Sequence, residues 1–196
     1  MELILASQSQ RRRELFQLIG LEYTCIPSDA DENVPFTEPG EFVEQLALRK
    51  ASAVKKDHPG SCVVGSDTVV WLDNEIIGKP HDREDAYRIL RKLSGRTHTV
   101  YTGIAVLTDD STQLCHETTQ VTFEELSDEL IWDYIDTGDP MDKAGSYGVQ
   151  GLGAVLVKKV EGCYFTVIGM SIPRLCEMLK NVGIYPSWQT RCAENS

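Results

Sequence analysis

Leu3-Ile4-Leu5-Ala6-Ser7-Gln8-Ser9-Gln10-Arg11-Arg12-Arg13-Glu14, near the start of the chain, passes from four apolar residues to two serines and then three consecutive arginines. The apolar run suits a buried strand. Either serine can cap a helix over residues 11–19, where Leu15, Leu18 and Ile19 share one face, and Gly20 stands where a helix C-cap is expected. The opening is thus strand, tight turn, helix.

Outward from there, residues 21–37 read as an extended segment and a polar loop rich in Asp, Glu and Pro. Residues 39–56 read as a helix with Phe42, Leu46 and Ala47 on one stripe. Residues 63–72 form a β-rich run, with Asp73-Asn74 as its turn and residues 75–77 as the return strand. Asp82 can cap a third helix, whose apolar positions Ala86, Ile89, Leu90 and Leu93 recur at helical spacing before Gly95 ends it. Two long β segments, 97–108 and 113–123, are joined by Asp109-Asp110-Ser111. Ser127 caps a helix to about residue 137, and 138–153 is a glycine-rich loop. Residues 155–160 and 164–168 predict a second hairpin about Gly162, and 172–181 a last helix. The reading is one domain over 1–184, with a polar tail, 185–196, that is expected to fray. Helices alternate with strands while hairpins are interleaved, so the expected fold is α/β with a mixed twisted sheet and flanking helices.

The chain has 196 residues, enough for one α/β domain with a sizeable core. No apolar run approaches the roughly 20 residues of a membrane span, and the start lacks the basic flank and long apolar stretch of a signal peptide. A cytoplasmic protein with no membrane partner is expected. The six cysteines are far apart, with no CxxC pair, and read as reduced small hydrophobes. A net charge of −11 argues against a nucleic-acid surface, which needs a basic face. An enzyme for an anionic substrate would have to concentrate its few cations locally.

Four places do so or carry other chemistry. The turn from Ser7 to Glu14 places hydroxyls, arginines and unpaired N–H groups at a helix start, where phosphate binds well; a capped helix with solvated arginines is the alternative. Val63-Val64-Gly65-Ser66-Asp67-Thr68-Val69-Val70 carries an acid inside an apolar run. Burying Asp67 there is expensive unless it is paired or holds a metal, although a turn or sheet edge would also accommodate it. Gly78-Lys79-Pro80 offers a lysine before a turn proline. Asp142-Lys143-Ala144-Gly145-Ser146-Tyr147-Gly148-Val149-Gln150-Gly151-Leu152-Gly153 lets backbone approach a ligand closely, or is merely a flexible loop. No P-loop, GxSxG or Cys/His signature is present, and His58, His81, His98 and His116 read as structural or surface residues.

Together these pieces, with Leu-Ser-Gly-x-Thr-His-Thr-Val-Tyr-Thr-Gly over 93–103, resemble the Maf family of nucleoside-triphosphate pyrophosphatases, from Leu3 to about Leu179 and in the family's order. The resemblance implies a Maf/ITPase-like fold of two lobes around a central cleft, a homodimer, and hydrolysis between the α and β phosphates with Mg²⁺ or Mn²⁺. It implies Asp67 as the catalytic carboxylate, with Glu32 beside it for the metal. Ser7, Ser9, Arg11 and Arg12 would bind substrate, and Lys50, Lys79 and Lys143 would neutralise the triphosphate. Arg11, Thr68 and Gln150 match the branch acting on dTTP and UTP, whereas the branch for 7-methyl-GTP carries Trp, Gln and Glu there. One departure is Gln10 where the family usually has Pro, a change that loosens the turn slightly. Two other readings are a non-catalytic nucleotide-sensing regulator of cell division and a related pyrophosphatase for purine or modified triphosphates.

Overall fold

The computed structural model describes residues 1–186 and Trp188; most of the polar tail lies outside the described residues. In chain order the elements are β1 (Leu3–Leu5), α1 (Gln10–Leu18), β2 (Thr24–Cys25), α2 (Pro39–Lys55), β3 (Cys62–Leu72), β4 (Glu75–Ile77) and α3 (Arg83–Leu93). There follow β5 (Thr97–Leu107), β6 (Thr112–Phe123), α4 (Asp128–Asp136), β7 (Val157–Gly162), α5 (Tyr164–Ile168) and α6 (Ile172–Asn181). The glycine-rich stretch between α4 and β7 is wound into three short 3₁₀ turns, Asp139–Asp142, Ala144–Ser146 and Gly151–Leu156.

The strands form a seven-stranded sheet in the order β2-β1-β3-β5-β6-β7, with β4 paired to β3. β1 is parallel to both β2 and β3, while β3–β4 and β6–β7 are antiparallel, so the sheet is mixed as expected. The β3–β4 turn places both Asp73 and Asn74 at positive φ, 54° and 61°. That is the tight turn whose twist matches a hairpin, and Asp and Asn tolerate it better than most residues.

Two compact units are built on these strands. Unit 1 comprises Met1–Asp67, Thr102–Glu117 and the described residues from Gly169 on; unit 2 comprises Thr68–Tyr101 and Thr118–Ile168. β3, β5 and β6 each contribute one stretch to either unit.

In unit 1, Ile4, Val63, Ala105 and Leu107 from the sheet, with Ala6 just after β1, pack on Ala47, Ala51 and Val54 of α2. The alanines let α2 lie low, and two glycines bring it lower. A Cβ on Gly65 would lie 2.3 Å from the Ala47 carbonyl oxygen, and one on Gly103 would lie 2.2 Å from that of Val43. The helix backbone therefore rests directly on β3 and β5. The buried stripe is Val43, Leu46, Ala47, Ala51 and Val54, whereas Phe42, expected on that stripe, is half-buried against Phe36. Leu46 and Ala47 lie on the stripe as expected, and Val43 takes the place expected of Phe42.

In unit 2 the core gathers Leu90 and Leu93 of α3, Ile131 and Ile135 of α4, and Val100, Val121 and Phe123 of the sheet. His98 is buried there edge-on to Phe123 and Tyr147, with its Nε2 2.7 Å from the Tyr147 hydroxyl. Burial pushes its imidazole down from 6.5 to about 4, so it is folded as the neutral ring. Between those two values the unfolded chain takes up a proton that the folded one refuses. His98 therefore contributes stability above pH 6.5 that is lost as pH falls toward 4, by about 3 kcal/mol across the window. Urea unfolding at pH 7 and pH 4 is expected to show a wild-type decline larger by that amount than the decline of His98→Gln. Parallel curves would mean that His98 is not held neutral.

The predicted hairpin about Gly162 is not formed. β7 pairs instead with β6, Gly162 opposite Thr119, and Tyr164–Ile168 is a single helical turn. The Cys163 carbonyl accepts both the Thr119 hydroxyl, at 2.9 Å, and the Thr166 amide, at 3.1 Å. This closes the turn where a strand would have continued. Cys25, Cys62, Cys115, Cys163 and Cys176 are free thiols, and Cys192 lies outside the described residues. Burial pushes the Cys62 thiol up to about 11 and that of Cys115 up to about 12, which keeps both unreactive. No helix among the described residues is long and apolar enough to cross a membrane.

Candidate active site

Within unit 1, Ser7 is buried at the end of β1, and its hydroxyl accepts the Ser9 amide at 3.1 Å. Ser9 is the helix cap: its extended backbone brings its hydroxyl to the Arg12 amide, 3.4 Å away. Of the two candidate caps, the second is used and the first braces it. Gln10 opens α1 and its amide reaches Glu14 at 3.2 Å, so the missing proline leaves the helix start in place. Arg11 and Arg12 are half-buried in the first turn. Burial pushes the Arg12 guanidinium below its usual value, while Asp67 and Glu32 draw it back up.

Asp67 lies in the middle of β3, between the stretch paired with β1, residues 62–64, and the stretch paired with β4, residues 70–72. Its side chain and that of Lys50 are each only 14% exposed, and Lys50 Nζ donates to Asp67 Oδ1. The same ammonium lies 3.0 Å from Glu32 Oε1. Lys50 thus joins two carboxylates that stand 35 positions apart in the chain. It reaches Asp67 because Ala47 and Ala51, which flank it on α2, rest on Gly65, the neighbour of that strand position on the same face.

Two carboxylates can serve a divalent metal only where waters and a bound phosphate supply its remaining ligands, and here the Lys50 ammonium lies between them. Among the described residues no cluster of three or more His, Cys, Asp or Glu is placed to hold a metal on protein ligands alone. With Lys50 displaced, Glu32 and Asp67 would offer two carboxylates to such a metal.

In unit 2, Thr68 is half-buried on β3, next after Asp67, and Lys79 is exposed. The GKP and glycine-loop motifs meet: the Gly145 amide donates to the Gly78 carbonyl at 2.9 Å. Gly145, at φ 71°, also passes so close to Val70 that a Cβ would lie 2.8 Å from its methyl. Tyr147 belongs to the aromatic cluster with His98 and is buried, so it is not an aromatic offered to a ligand. Lys143 donates to Asp142 at 2.8 Å and Asp139 at 3.0 Å, and Asp139 accepts the Tyr134 hydroxyl at 2.6 Å. Tyr134 in turn takes the Gly148 amide at 3.3 Å. Lys143 is therefore the clasp of the glycine loop, a use that its sequence setting did not disclose. Gln150 stands at the N-cap position of the last 3₁₀ turn, with its side chain exposed and making no capping hydrogen bond.

Sequence reasoning missed two residues. Ser66 is fully buried and its hydroxyl donates to the Gly169 carbonyl at 2.9 Å; Arg12 Nε donates to the same oxygen at 3.0 Å. A serine within an apolar strand signals a buried hydrogen bond, but nothing near it in the chain names the acceptor. His116, expected as a structural or surface residue, has its Nδ1 2.7 Å from Glu44 Oε1.

Among solved structures the chain resembles the Ham1 protein of Staphylococcus aureus, with a TM-score of 0.51 and 18% identity over 80% of each chain. At that identity the likeness is one of fold alone, and the class it defines is the mixed α/β architecture described above. The Maf-like protein family model matches residues 2–182, and the chain belongs to the Maf family. Similar proteins include the dTTP/UTP pyrophosphatase of Symbiobacterium thermophilum, 46% identical over 94% of this chain and 95% of that protein. Those of Bacillus velezensis, 46% identical over 93% and 97%, and Thermosipho africanus, 47% identical over 94% and 95%, bear the same name.

Proposed function

We propose that this protein is a nucleoside-triphosphate pyrophosphatase acting on dTTP and UTP, which it converts to the monophosphate and pyrophosphate. The observation that carries the reading is the group Arg12, Lys50, Glu32 and Asp67, in which buried or half-buried cations face two acids at the end of a capped phosphate-type turn. The names of relatives that match nearly end to end supply the substrate class.

Catalysis of this kind is mainly positioning and charge neutralisation. Ser7, Ser9, Arg11 and Arg12 bind phosphate oxygens, and Lys79 offsets the charge that develops on the leaving group, joined by Lys50 only as it exchanges its bonds to Asp67 and Glu32. Asp67 takes the proton of a water as its oxygen bonds to the α-phosphorus. The bond from that phosphorus to the bridging oxygen breaks, and pyrophosphate departs with the electron pair. Mg²⁺ or Mn²⁺, held by Glu32 and Asp67, would supply charge neutralisation and a more acidic water. Lys143 contacts substrate only by exchanging its bonds to Asp139 and Asp142; as folded, it supports the loop that carries Gln150. Gln150, with a donor and an acceptor in one exposed amide, suits the edge of a uracil or thymine ring, and Arg11 and Thr68 complete the selection. The proposed setting is a cytoplasmic homodimer.

The test is a product assay on a panel of triphosphates with either metal. dTTP and UTP are expected ahead of dATP, dGTP and 7-methyl-GTP, with monophosphate and pyrophosphate as products. In ¹⁸O-water the label is expected on the monophosphate. Release of single phosphate would refute the chemistry; a purine preference would refute only the base assignment. Gln150→Glu is expected to lower kcat/KM for dTTP by about 10–100-fold, in proportion to the 1–3 kcal/mol of an unpaired polar group. An equal loss on every triphosphate would assign Gln150 to the loop's shape instead.

A further inference from the structure

We infer that Ser66 and Gly169 are positioning residues of this site, and that the Gly169 carbonyl is the common anchor of the phosphate-binding turn and the Asp67 strand. The inference rests on the pyrophosphatase reading above. On β3, side chains alternate between faces. Val63, Gly65 and Asp67 face α2, as their contacts with Ala47, Ala51 and Lys50 record. Ser66 therefore points to the opposite face, and there its hydroxyl meets the Gly169 oxygen at 2.9 Å. Arg12 Nε meets that oxygen at 3.0 Å. A carbonyl oxygen has two lone pairs, and both are used.

The anchor is itself fixed. Gly169, Met170 and Ser171 are buried, and α6 begins directly after them, with the Ser171 carbonyl accepting the Leu175 amide at 2.9 Å. Gly169 has φ 130°, a conformation that side-chain-bearing residues rarely adopt. Its carbonyl is thereby aimed at the two donors. One bond fixes the strand residue next to Asp67, and the other fixes the root of the Arg12 guanidinium, so the acid and the arginine share one reference point. Loss of either bond leaves the cations present to attract the triphosphate while loosening their alignment. A displacement near 1 Å can lower a rate by about 10²-fold, whereas ground-state attraction changes little.

The experiment compares steady-state dTTP hydrolysis and melting temperature for wild type, Ser66→Ala, Ser66→Thr, Gly169→Ala and the double variant Ser66→Ala/Gly169→Ala. Ser66→Ala is expected to lower kcat by about tenfold with KM within about twofold, a loss in positioning rather than binding. Ser66→Thr, which keeps the hydroxyl, is expected to restore kcat. The double variant is expected to lose less than the product of the single losses, because both act on one anchor. Should Ser66→Ala fail to fold, Ser66→Cys, a weaker donor of similar size, is expected to fall between serine and threonine on one side and full loss on the other. Wild-type kcat in folded Ser66→Ala, or independent single losses, would overturn the inference while the pyrophosphatase reading stands. A wild-type protein that hydrolyses no triphosphate would overturn that reading, and the inference with it.

Discussion

Asp67→Asn is expected to fold and to lose about 10²–10⁴-fold in kcat, the range spanned by a positioned general base. The amide keeps the shape of the carboxylate, so β3 and its neighbours are undisturbed, but it cannot take a proton from water. Lys50 can still donate to the amide oxygen and keeps Glu32 at 3.0 Å, so only the charge of one partner is lost and the folding cost is small, about 1–2 kcal/mol. The measurements are kcat for dTTP and the thermal midpoint of each protein. A variant that retains more than about a tenth of wild-type kcat has lost less than about 1.4 kcal/mol of transition-state stabilisation, and Asp67 is then not the base.

The second large effect is expected at a residue with no side chain. In Gly65→Ala the new methyl would stand 2.3 Å from the Ala47 carbonyl oxygen and 2.9 Å from the Ala51 amide nitrogen. Both are backbone atoms of α2, so relief requires the helix to rise. Overpacking of this kind costs about 1–3 kcal/mol, which lowers the melting temperature of a chain this size by roughly 2–12 °C. The rising helix carries Lys50 away from Asp67, and kcat is expected to fall by about 10–100-fold. Calorimetry together with dTTP kinetics checks both parts. Unchanged kcat in a destabilised Gly65→Ala would show that the Lys50–Asp67 pair does not depend on the seat of the helix.

Local patterns were read correctly where local physics decides. The strand-turn-helix opening, the Asp82 and Ser127 caps and the helix Ile172–Asn181 follow from capping residues and periodicity, which act within a few positions. Tyr164–Ile168 was misread because a run of aromatic and β-branched residues favours a strand, while the Cys163 carbonyl, held by Thr119 of β6, turns the chain into a helix. That choice is tertiary. The site divides in the same way. Asp67 announces itself as an acid in an apolar run, and the arginines as a basic helix start. The bond between Lys50 and Asp67, the clasp of Lys143 on Asp139, and the anchor at Gly169 join residues whose neighbours in sequence give no hint of each other.

The three-segment construction of unit 1 bears on how the molecule comes into being. Ser7, Arg12, Glu32, Lys50 and Asp67 all belong to its first segment, which is synthesised before the other two. Yet the oxygen that Arg12 requires is 157 positions downstream of it, and Ser66 waits for the same atom across 103. The closing of so wide a loop comes late in folding, since the entropy of bringing distant segments together is lost before their contacts return it. A ribosome-bound chain that ends short of Gly169 thus carries every ionisable group of the candidate centre without the acceptor that orders them.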